Sequence, residues 1–216
     1  MSKVRVNCFS ISLDGFGAGP NQSLENPLGE GGPELHNWFY PTETFQKTVL
    51  GHDRGATGVD NDFATHSFEN VGAWIMGRNM FAHSRGPWTD DGWRGWWGDN
   101  PPYHVDTYVL THHPRKPLEM EGGTTFHFVT DGIHSALERA KASAKVKDVR
   151  IGGGAATIRQ YLQAGLVDEM HIAIAPVLLG KGEPLFCGID LTAAGIKQVT
   201  QVPGENTVHY LLKRRS

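Results

Sequence analysis

Short apolar runs, each ended by glycine or polar residues, recur along much of the chain. Val4–Ser12 is the first of them, and the glycine-rich stretch from Asp14 to Gly19 ends it. Apolar runs of this length with turn residues at their ends are typical of buried strands. We therefore predict strands over Val4–Ser12, Ala73–Met76, Thr107–Thr111, Thr125–Val129, Val149–Ile151, Glu169–Pro176 and Thr207–Lys213.

Segments with a helical period separate several of these runs. They predict helices over Glu34–Val49, Asp62–Asn70, Asp131–Ala144 and Ala155–Ala164. Strands that alternate with helices indicate an α/β fold whose sheet is mostly parallel. The last two predicted strands have no helix between them, so we expect them to pair antiparallel.

Two segments show no continuous strand or helix pattern over most of their length. Residues 21–62 are dominated by Gly, Pro, Asn and polar residues, which indicates an insertion that carries only the first predicted helix. Residues 86–104 place Trp88, Trp93, Trp96, Trp97 and Tyr103 among Gly, Pro and Asp, which predicts an irregular aromatic loop. Because we find no internal repeat and no second apolar core, we predict one domain over residues 1–216.

Composition narrows the class of protein. The chain has 216 residues, of which 39% are hydrophobic and 20% charged, and its formal net charge is −3. These values predict a folded chain without a nucleic-acid-binding surface. We also expect no membrane span and a cytoplasmic location, because no apolar run is long enough to cross a bilayer and no signal-peptide pattern opens the chain.

Val149–Leu162 is the most informative segment. Its apolar strand leads into three consecutive glycines, Gly152–Gly154, and then directly into a helix. Glycines let a backbone approach an anion closely, and the first N–H groups of the helix point at it. This pattern predicts a phosphate-binding turn, although a tight turn that needs glycine only for its shape explains the segment equally well.

Other nucleotide motifs and other chemistries are poorly supported. The Rossmann fingerprint requires a glycine where Thr157 stands, and no Gly-Lys-Ser/Thr follows the turn as in a Walker loop. The 11 histidines and two cysteines show no metal-ligand spacing, so we expect no metal site. No Gly-x-Ser-x-Gly elbow indicates a serine hydrolase.

Three segments together resemble the cofactor-binding segments of the dihydrofolate reductase-like superfamily. They are Ile75–Phe81, Val109–Arg115 and Ile151–Thr157, and their order and spacing also match. The later runs Leu162–Met170 and Pro176–Phe186 are more similar to the reductase domain of the bacterial riboflavin-pathway deaminase-reductases. The resemblance covers Val4 to Lys213 and implies a three-layer α/β/α fold with a mixed, mostly parallel central sheet.

The resemblance further implies an NADPH-dependent oxidoreductase. Arg78 would meet the 2′-phosphate of NADPH, because a guanidinium binds phosphate bidentately. Thr111 and His112 would flank the adenine ribose, and Ser10 and Gly17 would contact the nicotinamide carboxamide through their backbones. The full set of implied cofactor-binding residues is Ser10, Gly17, Gly77, Arg78, Asn79, Thr111, His112, Gly152, Gly153, Gly154, Ala155 and Thr157.

Candidate catalytic and substrate-binding residues are fewer. Folate reductases carry a carboxylate on the helix after the first loop, and the nearest candidates here are Asp60 and Asp62. We take Asp62, although a role as helix N-cap explains it equally well. Asp14 is a candidate substrate contact, with an Asx-turn as the alternative. Trp93, Trp96 and Trp97 could stack on a heteroaromatic ring or form a dimer contact.

We therefore expect an NADPH-dependent reductase that transfers a hydride to a small heterocyclic or carbonyl compound, with pterin-, pyrimidine- or flavin-like substrates in view. The alternative is a non-catalytic NADP(H)-binding protein of the same fold. The resemblance also implies a homodimer. The sequence names no substrate and leaves the proton donor open.

Overall fold

One central sheet of nine strands organises residues 2–89 and 92–214, which are the residues that the computed structural model describes. The order across the sheet is β4-β5-β3-β2-β6-β1-β7-β9-β8. The strands are β1 (Val4–Ser12), β2 (Val71–Gly77), β3 (Asp106–Leu110), β4 (Leu118–Glu119), β5 (Thr125–Val129), β6 (Asp148–Gly153), β7 (Glu169–Ala175), β8 (Ile196–Pro203) and β9 (Val208–Arg214).

The sheet is mixed and mostly parallel, as predicted. The central strands from β5 through β3, β2, β6 and β1 to β7 run parallel to one another. Antiparallel pairs occur between β4 and β5 at one edge, and between β7, β9 and β8 at the other. The parallel strands consequently present their carboxyl ends at one edge of the sheet, where open α/β folds bind ligands.

Helices cover both faces of the sheet, which confirms the three-layer arrangement. They are α1 (Glu43–Thr48), α2 (Val59–Phe68), α3 (Arg78–Phe81), α4 (Ile133–Ala144) and α5 (Ala155–Gln163). On one face α4 packs on β2, β3 and β6, and α5 packs on β6 and β2. On the other face α2 packs on β1, and α1 packs on α2. The described residues contain no helix that is long and apolar enough to cross a membrane.

Each face of the sheet has its own apolar core. The main core lies beneath α4 and α5, where Ile75, Ile151 and Ile158 are fully buried. A second, aromatic cluster on the opposite face contains Trp74 and Phe81. Neighbouring residues of a strand alternate between these faces, because successive side chains point to opposite sides of a sheet.

The predicted helix over Glu34–Val49 is wrong. The structure instead has a 3₁₀ turn at Gly32–His36 and the short helix α1. Pro41 separates them, and a proline disfavours helical geometry in the residue before it. Thr42 then caps α1, since its hydroxyl accepts a hydrogen bond from the Phe45 amide at 3.2 Å.

Other boundaries also differ from the prediction. Helix α2 begins at Val59 rather than Asp62, and α4 begins at Ile133, two residues after Asp131. Strands β4 and β8 were not predicted at all. Residues 90 and 91 of the predicted aromatic loop lie outside the described residues, and the described parts of residues 86–104 form no helix or strand.

Candidate functional site

A large cleft opens at the carboxyl edge of the parallel strands. Its volume is about 820 Å³, within the range of small-molecule and cofactor sites. Residues at or just beyond the ends of β2, β3 and β6 line one part of it, and residues of β1 and of the 21–62 segment line another.

The structure brings together every residue that the sequence analysis assigned to the cofactor. All of them line this one cleft, although they come from five separate segments of the chain: Ser10, Gly17, Gly77, Arg78, Asn79, Thr111, His112, Gly152, Gly153, Gly154, Ala155 and Thr157. Their convergence is a finding about position, and their role in binding a cofactor stays a prediction.

The glycine turn between β6 and α5 is open toward the cleft. Gly153 has a φ of +131°, which L side chains rarely adopt, and the Gly153–Gly154 peptide bond is cis. A Cβ placed on Gly154 would meet nothing within 4 Å, so the backbone there borders free space. An anionic group can approach this backbone and the first turn of α5, where the helix dipole favours negative charge. The turn therefore fits a phosphate.

Arg78 stands directly after the end of β2 and is held in place from several sides. Its Nη1 donates to the Thr111 hydroxyl at 3.3 Å and its Nη2 to the Ser84 hydroxyl at 3.1 Å. The guanidinium carbon lies 3.4 Å from the centre of the Trp88 ring. The Arg78 Nε is buried and has no acceptor among the described residues. The side chain as a whole lines the cleft, so its positive charge faces any anion that binds there.

Glycine at positions 17 and 77 is required by close packing. A Cβ on Gly77 would collide with the Thr157 hydroxyl, and one on Gly17 would lie 2.7 Å from the Phe9 ring. The Ser10 hydroxyl already accepts a hydrogen bond from the Trp38 indole at 2.9 Å. Any contact of Ser10 with a ligand would therefore fall more readily to its backbone, as the sequence analysis assumed.

The cleft is positively charged. Arg78, Arg85 and Arg150 line it, whereas Glu183 supplies the one carboxylate among its described lining residues. Arg85 and Glu183 approach each other to 4.0 Å. Excess positive charge around an open glycine turn fits a ligand with several phosphates, such as a dinucleotide.

Much of the remaining lining of the cleft is aromatic, and we call it the aromatic half; it adjoins the glycine turn, since a Cβ on Gly152 would lie 3.0 Å from the Trp74 ring. Most of it comes from the 21–62 segment and from the second face of the sheet, with two of the predicted tryptophans at its rim. Its aromatic side chains are His36, Phe39, Tyr40, Phe45, Phe68, Trp74, Trp96, Trp97 and Tyr103.

Three of the predicted site residues do not line the cleft. Trp93 donates from its indole to the Phe81 carbonyl at 2.8 Å and packs against the aromatic cluster. Asp14 is exposed and accepts hydrogen bonds from the amides of Leu179 and Gly180. It therefore connects the loop after β1 to the loop after β7. Its hydrogen bonds lower the pKa of the Asp14 carboxyl, that from Ser12 most strongly.

Asp62 is also outside the cleft. Its side chain is exposed, and it borders a separate cavity of about 210 Å³ together with Asn7 and His66. It does not cap α2, because that helix begins three residues earlier. The neighbouring Asp60 is the buried carboxylate of this helix, and it accepts a hydrogen bond from His209 at 2.9 Å.

Sequence reasoning missed several polar groups of the aromatic half. Burial raises the pKa of the Cys8 thiol to about 11 and that of Tyr103 to about 12. Burial lowers the pKa of His36 to about 4, so this ring is neutral at pH 7. Arg150 is the charged member of the group. A charged residue in the middle of the apolar β6 run was the signal that pointed to it.

Comparison with known proteins agrees with this architecture. Residues 3–209 match the family described as the RibD C-terminal domain. The chain belongs to this family. The resemblance drawn from the sequence to the reductase domain of riboflavin-pathway enzymes is thereby confirmed. The chain is also 39% identical over 95 residues to the uncharacterized protein YyaP of Bacillus subtilis, a match that covers 42% of this chain and 50% of YyaP.

Solved structures with this fold include two proteins with riboflavin-pathway names. The diaminohydroxyphosphoribosylaminopyrimidine deaminase/5-amino-6-(5-phosphoribosylamino)uracil reductase of Thermotoga maritima has a TM-score of 0.54 at 14% identity, and the match covers 99% of this chain and 57% of that one. The riboflavin biosynthesis reductase Rib7 of Saccharomyces cerevisiae has a TM-score of 0.52 at 13% identity, with 99% and 90% of the chains covered. At these identities the likeness establishes the fold alone.

Proposed function

We propose that this chain is an NADPH-dependent reductase that transfers a hydride to a small heterocyclic or carbonyl compound. One observation carries the proposal. The glycine turn before α5, Arg78 after β2 and Thr111 after β3 converge on one cleft that also has an aromatic half. The first three features suit a phosphorylated cofactor, and the aromatic half suits a flat substrate.

Arg78 is the residue that favours NADPH over NADH. Its guanidinium follows a strand end, stacks on Trp88 and has a buried Nε without an acceptor among the described residues. A phosphate on the adenine ribose would accept from this group, and Arg–phosphate pairs are among the strongest charged hydrogen bonds in proteins. Burial and the nearby charge of Arg115 lower the pKa of Arg78, so an anion is further favoured.

The chain's own residues would bind and orient the reactants. NADPH, when bound, supplies the hydride, so the protein needs no nucleophile of its own. The open backbone of Gly152–Gly154 and the first turn of α5 would hold phosphate groups. Ser10 and Gly17, on β1 and in the loop after it, would position the nicotinamide through their backbones. The aromatic half would hold the acceptor ring and exclude water.

The groups in the cleft that could deliver a proton to the substrate are mostly not carboxylic acids. Among the described residues that line it, Glu183 alone is acidic, and it faces Arg85. The aromatic half offers the Cys8 thiol and the Tyr40 and Tyr103 hydroxyls, all with pKa values raised by burial. This lack of a carboxylate is the observation that favours the second candidate, an NADP(H)-binding protein without catalysis.

Calorimetric titration with NADPH and with NADH tests the cofactor assignment. We expect NADPH to bind more tightly by about tenfold to hundredfold, the range of a hydrogen-bonded charge. Arg78→Ala should remove this preference and leave the NADH affinity nearly unchanged. Arg54→Ala, on an exposed arginine outside the cleft, is the matched control and should behave as wild type.

Two outcomes would overturn the assignment: equal affinity for both nucleotides in wild type, or no binding of either. If NADPH binds, its oxidation is then followed with pterins, pyrimidines, flavins and small carbonyl compounds as acceptors. Tight NADPH binding without turnover of any of them would support the non-catalytic candidate instead.

We further propose that the chain forms a homodimer, as the family resemblance implied. Sedimentation velocity over a range of protein concentrations tests this. A single species with the mass of one chain at all concentrations would contradict it.

A further inference from the structure

Arg150 lies at the floor of the aromatic half. It occupies the middle of β6 between Val149 and Ile151, whose side chains belong to the main core on the other face of the sheet. Only 6% of its surface is exposed, yet it lines the cleft together with Cys8 and Tyr103. The cleft therefore contains a buried cation that the cofactor segments do not explain.

Contacts on several sides fix the Arg150 guanidinium. Its carbon lies 4.1 Å from the centre of the Trp74 ring and 5.2 Å from that of Phe68. Nη1 donates to the Ser67 carbonyl at 2.6 Å, and Nη2 donates to the Asn7 carbonyl at 3.0 Å. Nε is buried without an acceptor among the described residues. The guanidinium is thus oriented, but its hydrogen-bonding capacity is not exhausted.

The charge of Arg150 also lacks a partner. In the described part of the chain no carboxylate oxygen lies within 4.0 Å of its nitrogens. Arg5 provides the contrast, because it lies beside Arg150 in register on β1 and pairs with Asp148 at 3.1 Å. Among the described residues, a carboxylate thus pairs with one of these two adjacent buried arginines and none pairs with the other.

Neighbouring titratable groups do not neutralise this charge at pH 7. Burial lowers the pKa of Arg150 to about 10, so the side chain remains protonated. Burial keeps the Cys8 thiol and the Tyr103 hydroxyl neutral, with pKa values of about 11 and about 12. A buried charge without a partner is strongly unfavourable, and a ligand that brings an anionic oxygen would offset it.

We propose that Arg150 binds an anionic oxygen carried by a planar ring, so that the substrate is a flat aromatic or heteroaromatic compound with a carboxylate or an enolate. The aromatic side chains around Arg150 would contact the faces of the ring, and the planar guanidinium would donate to its oxygen. This assignment rests on the proposed function, because it takes the aromatic half to be the substrate site.

The test compares two probes that share one ring system, 2-naphthoate and 2-naphthamide. Titration calorimetry with the full chain should show tighter binding of the carboxylate by about tenfold or more, the effect of one charge-assisted hydrogen bond. The titrations are repeated with saturating NADPH and with Arg78→Ala, because a carboxylate could otherwise occupy the expected cofactor phosphate site. The preference should survive both changes.

Variants of Arg150 separate ligand binding from structural support. Arg150→Met should lower the affinity for 2-naphthoate to that for 2-naphthamide, whereas Arg150→Lys should keep part of the preference. Arg5→Lys is the matched control, since it alters the adjacent buried arginine that already has a carboxylate partner, and it should leave the ratio unchanged. A merely structural Arg150 would change both affinities together and leave their ratio as it was.

The outcomes distinguish this inference from the proposed function. Equal binding of both probes by wild type overturns the inference even if the Arg150 variants fail to fold. NADPH binding combined with equal probe binding removes the inference and leaves the reductase proposal intact. A carboxylate preference that depends on Arg150 in a chain that binds no nicotinamide cofactor removes the reductase proposal and leaves the anion site.

Discussion

The guanidinium of Arg78 lies flat against Trp88, with 3.4 Å between its central carbon and the centre of the indole. Trp88 in turn donates from its ring nitrogen to the His113 carbonyl at 2.9 Å. A tryptophan in the aromatic loop thereby supports the arginine that we assign to the cofactor. From the sequence, the tryptophans of this loop are candidates to stack on a substrate ring, and none of them is predicted to support Arg78.

Removing this support should weaken NADPH binding selectively. A cation–π contact of this kind contributes about 1–2 kcal/mol, so Trp88→Ala should lower the NADPH affinity about fivefold to thirtyfold. The NADH affinity should change little, because Arg78 is assigned to the additional phosphate. Trp88→Phe, which keeps a ring face, should show a smaller loss. Titration calorimetry measures both affinities, and an equal loss for both cofactors would contradict the supporting role.

A methyl group at position 77 should lower the free energy of unfolding. The added Cβ of Gly77→Ala would collide with the Thr157 hydroxyl, and overpacking of this kind destabilises a protein by about 1–3 kcal/mol. Thr157→Ala removes the obstructing atom, so the double variant should regain stability in urea unfolding experiments. Gly86→Ala is the control, because a Cβ there meets nothing within 4 Å. Additive effects of the two substitutions would exclude the steric explanation.

The parts of the fold that the sequence predicted have strong local signals. Strand β1 and helix α5 match their predicted spans to within a residue, because an apolar run or a helical period identifies each of them. Strand β8 was missed, since Lys197, Thr200 and Gln201 interrupt its apolar pattern at the edge of the sheet. Edge strands often carry such polar residues, which protect them from further pairing.

The start of α2 shows why some element boundaries could not be predicted from neighbouring residues. Both carboxylate oxygens of Glu205 accept hydrogen bonds from the first amides of this helix, those of Val59 and Asp60 at 2.9 and 2.8 Å. The cap therefore comes from a residue 146 positions along the chain from Val59. No local pattern indicates such a partner, so the sequence placed the helix start at Asp62 instead.

The candidate site likewise has one part that the sequence predicts and one part that it does not. Its glycines and Arg78 were predictable, because backbone approach and phosphate recognition require particular residue types at strand ends. The aromatic half was not, since Phe39 and Phe45 lie in a stretch that the sequence predicts as one helix, whereas the structure divides it into a 3₁₀ turn and the short helix α1. Only the fold places that segment beside Arg150.

Stability should fall as the pH decreases below about 6.5, the ordinary pKa of histidine. The Cys8 amide donates to His171 Nδ1 at 3.1 Å, so His171 donates from Nε2 to His209, which donates to Asp60. Both rings are neutral in this chain, and burial lowers the pKa of each. Below that pH the unfolded state therefore binds more protons than the folded state. The stability that the neutral rings contribute above this pH is lost as the pH falls.

Urea unfolding between pH 7.5 and pH 5 measures this loss. Each histidine that stays neutral in the folded protein contributes up to about 1.4 kcal/mol per pH unit below its unfolded pKa. His171→Gln should reduce the slope in addition to lowering stability at pH 7.5, and His134→Gln, on an exposed side chain, is the control. Stability that is constant or that increases over this range would contradict the assignment of neutral rings.

Substitution of Trp93 should mainly lower stability, whereas substitution of Trp97 should mainly lower ligand affinity. From the sequence, the same role is predicted for both. Trp93 hydrogen-bonds to Phe81 and packs on the aromatic cluster, so Trp93→Ala should lower the free energy of unfolding by about 2–4 kcal/mol. Trp97 is 46% exposed and lines the cleft, so Trp97→Ala should change it by less than about 1 kcal/mol. The affinity for 2-naphthoate should instead fall in Trp97→Ala and stay close to wild type in Trp93→Ala protein that is fully folded. Urea unfolding and probe titration on the same samples give both quantities. A large loss of stability in Trp97→Ala would show that this indole holds the loop together rather than contacting a ligand.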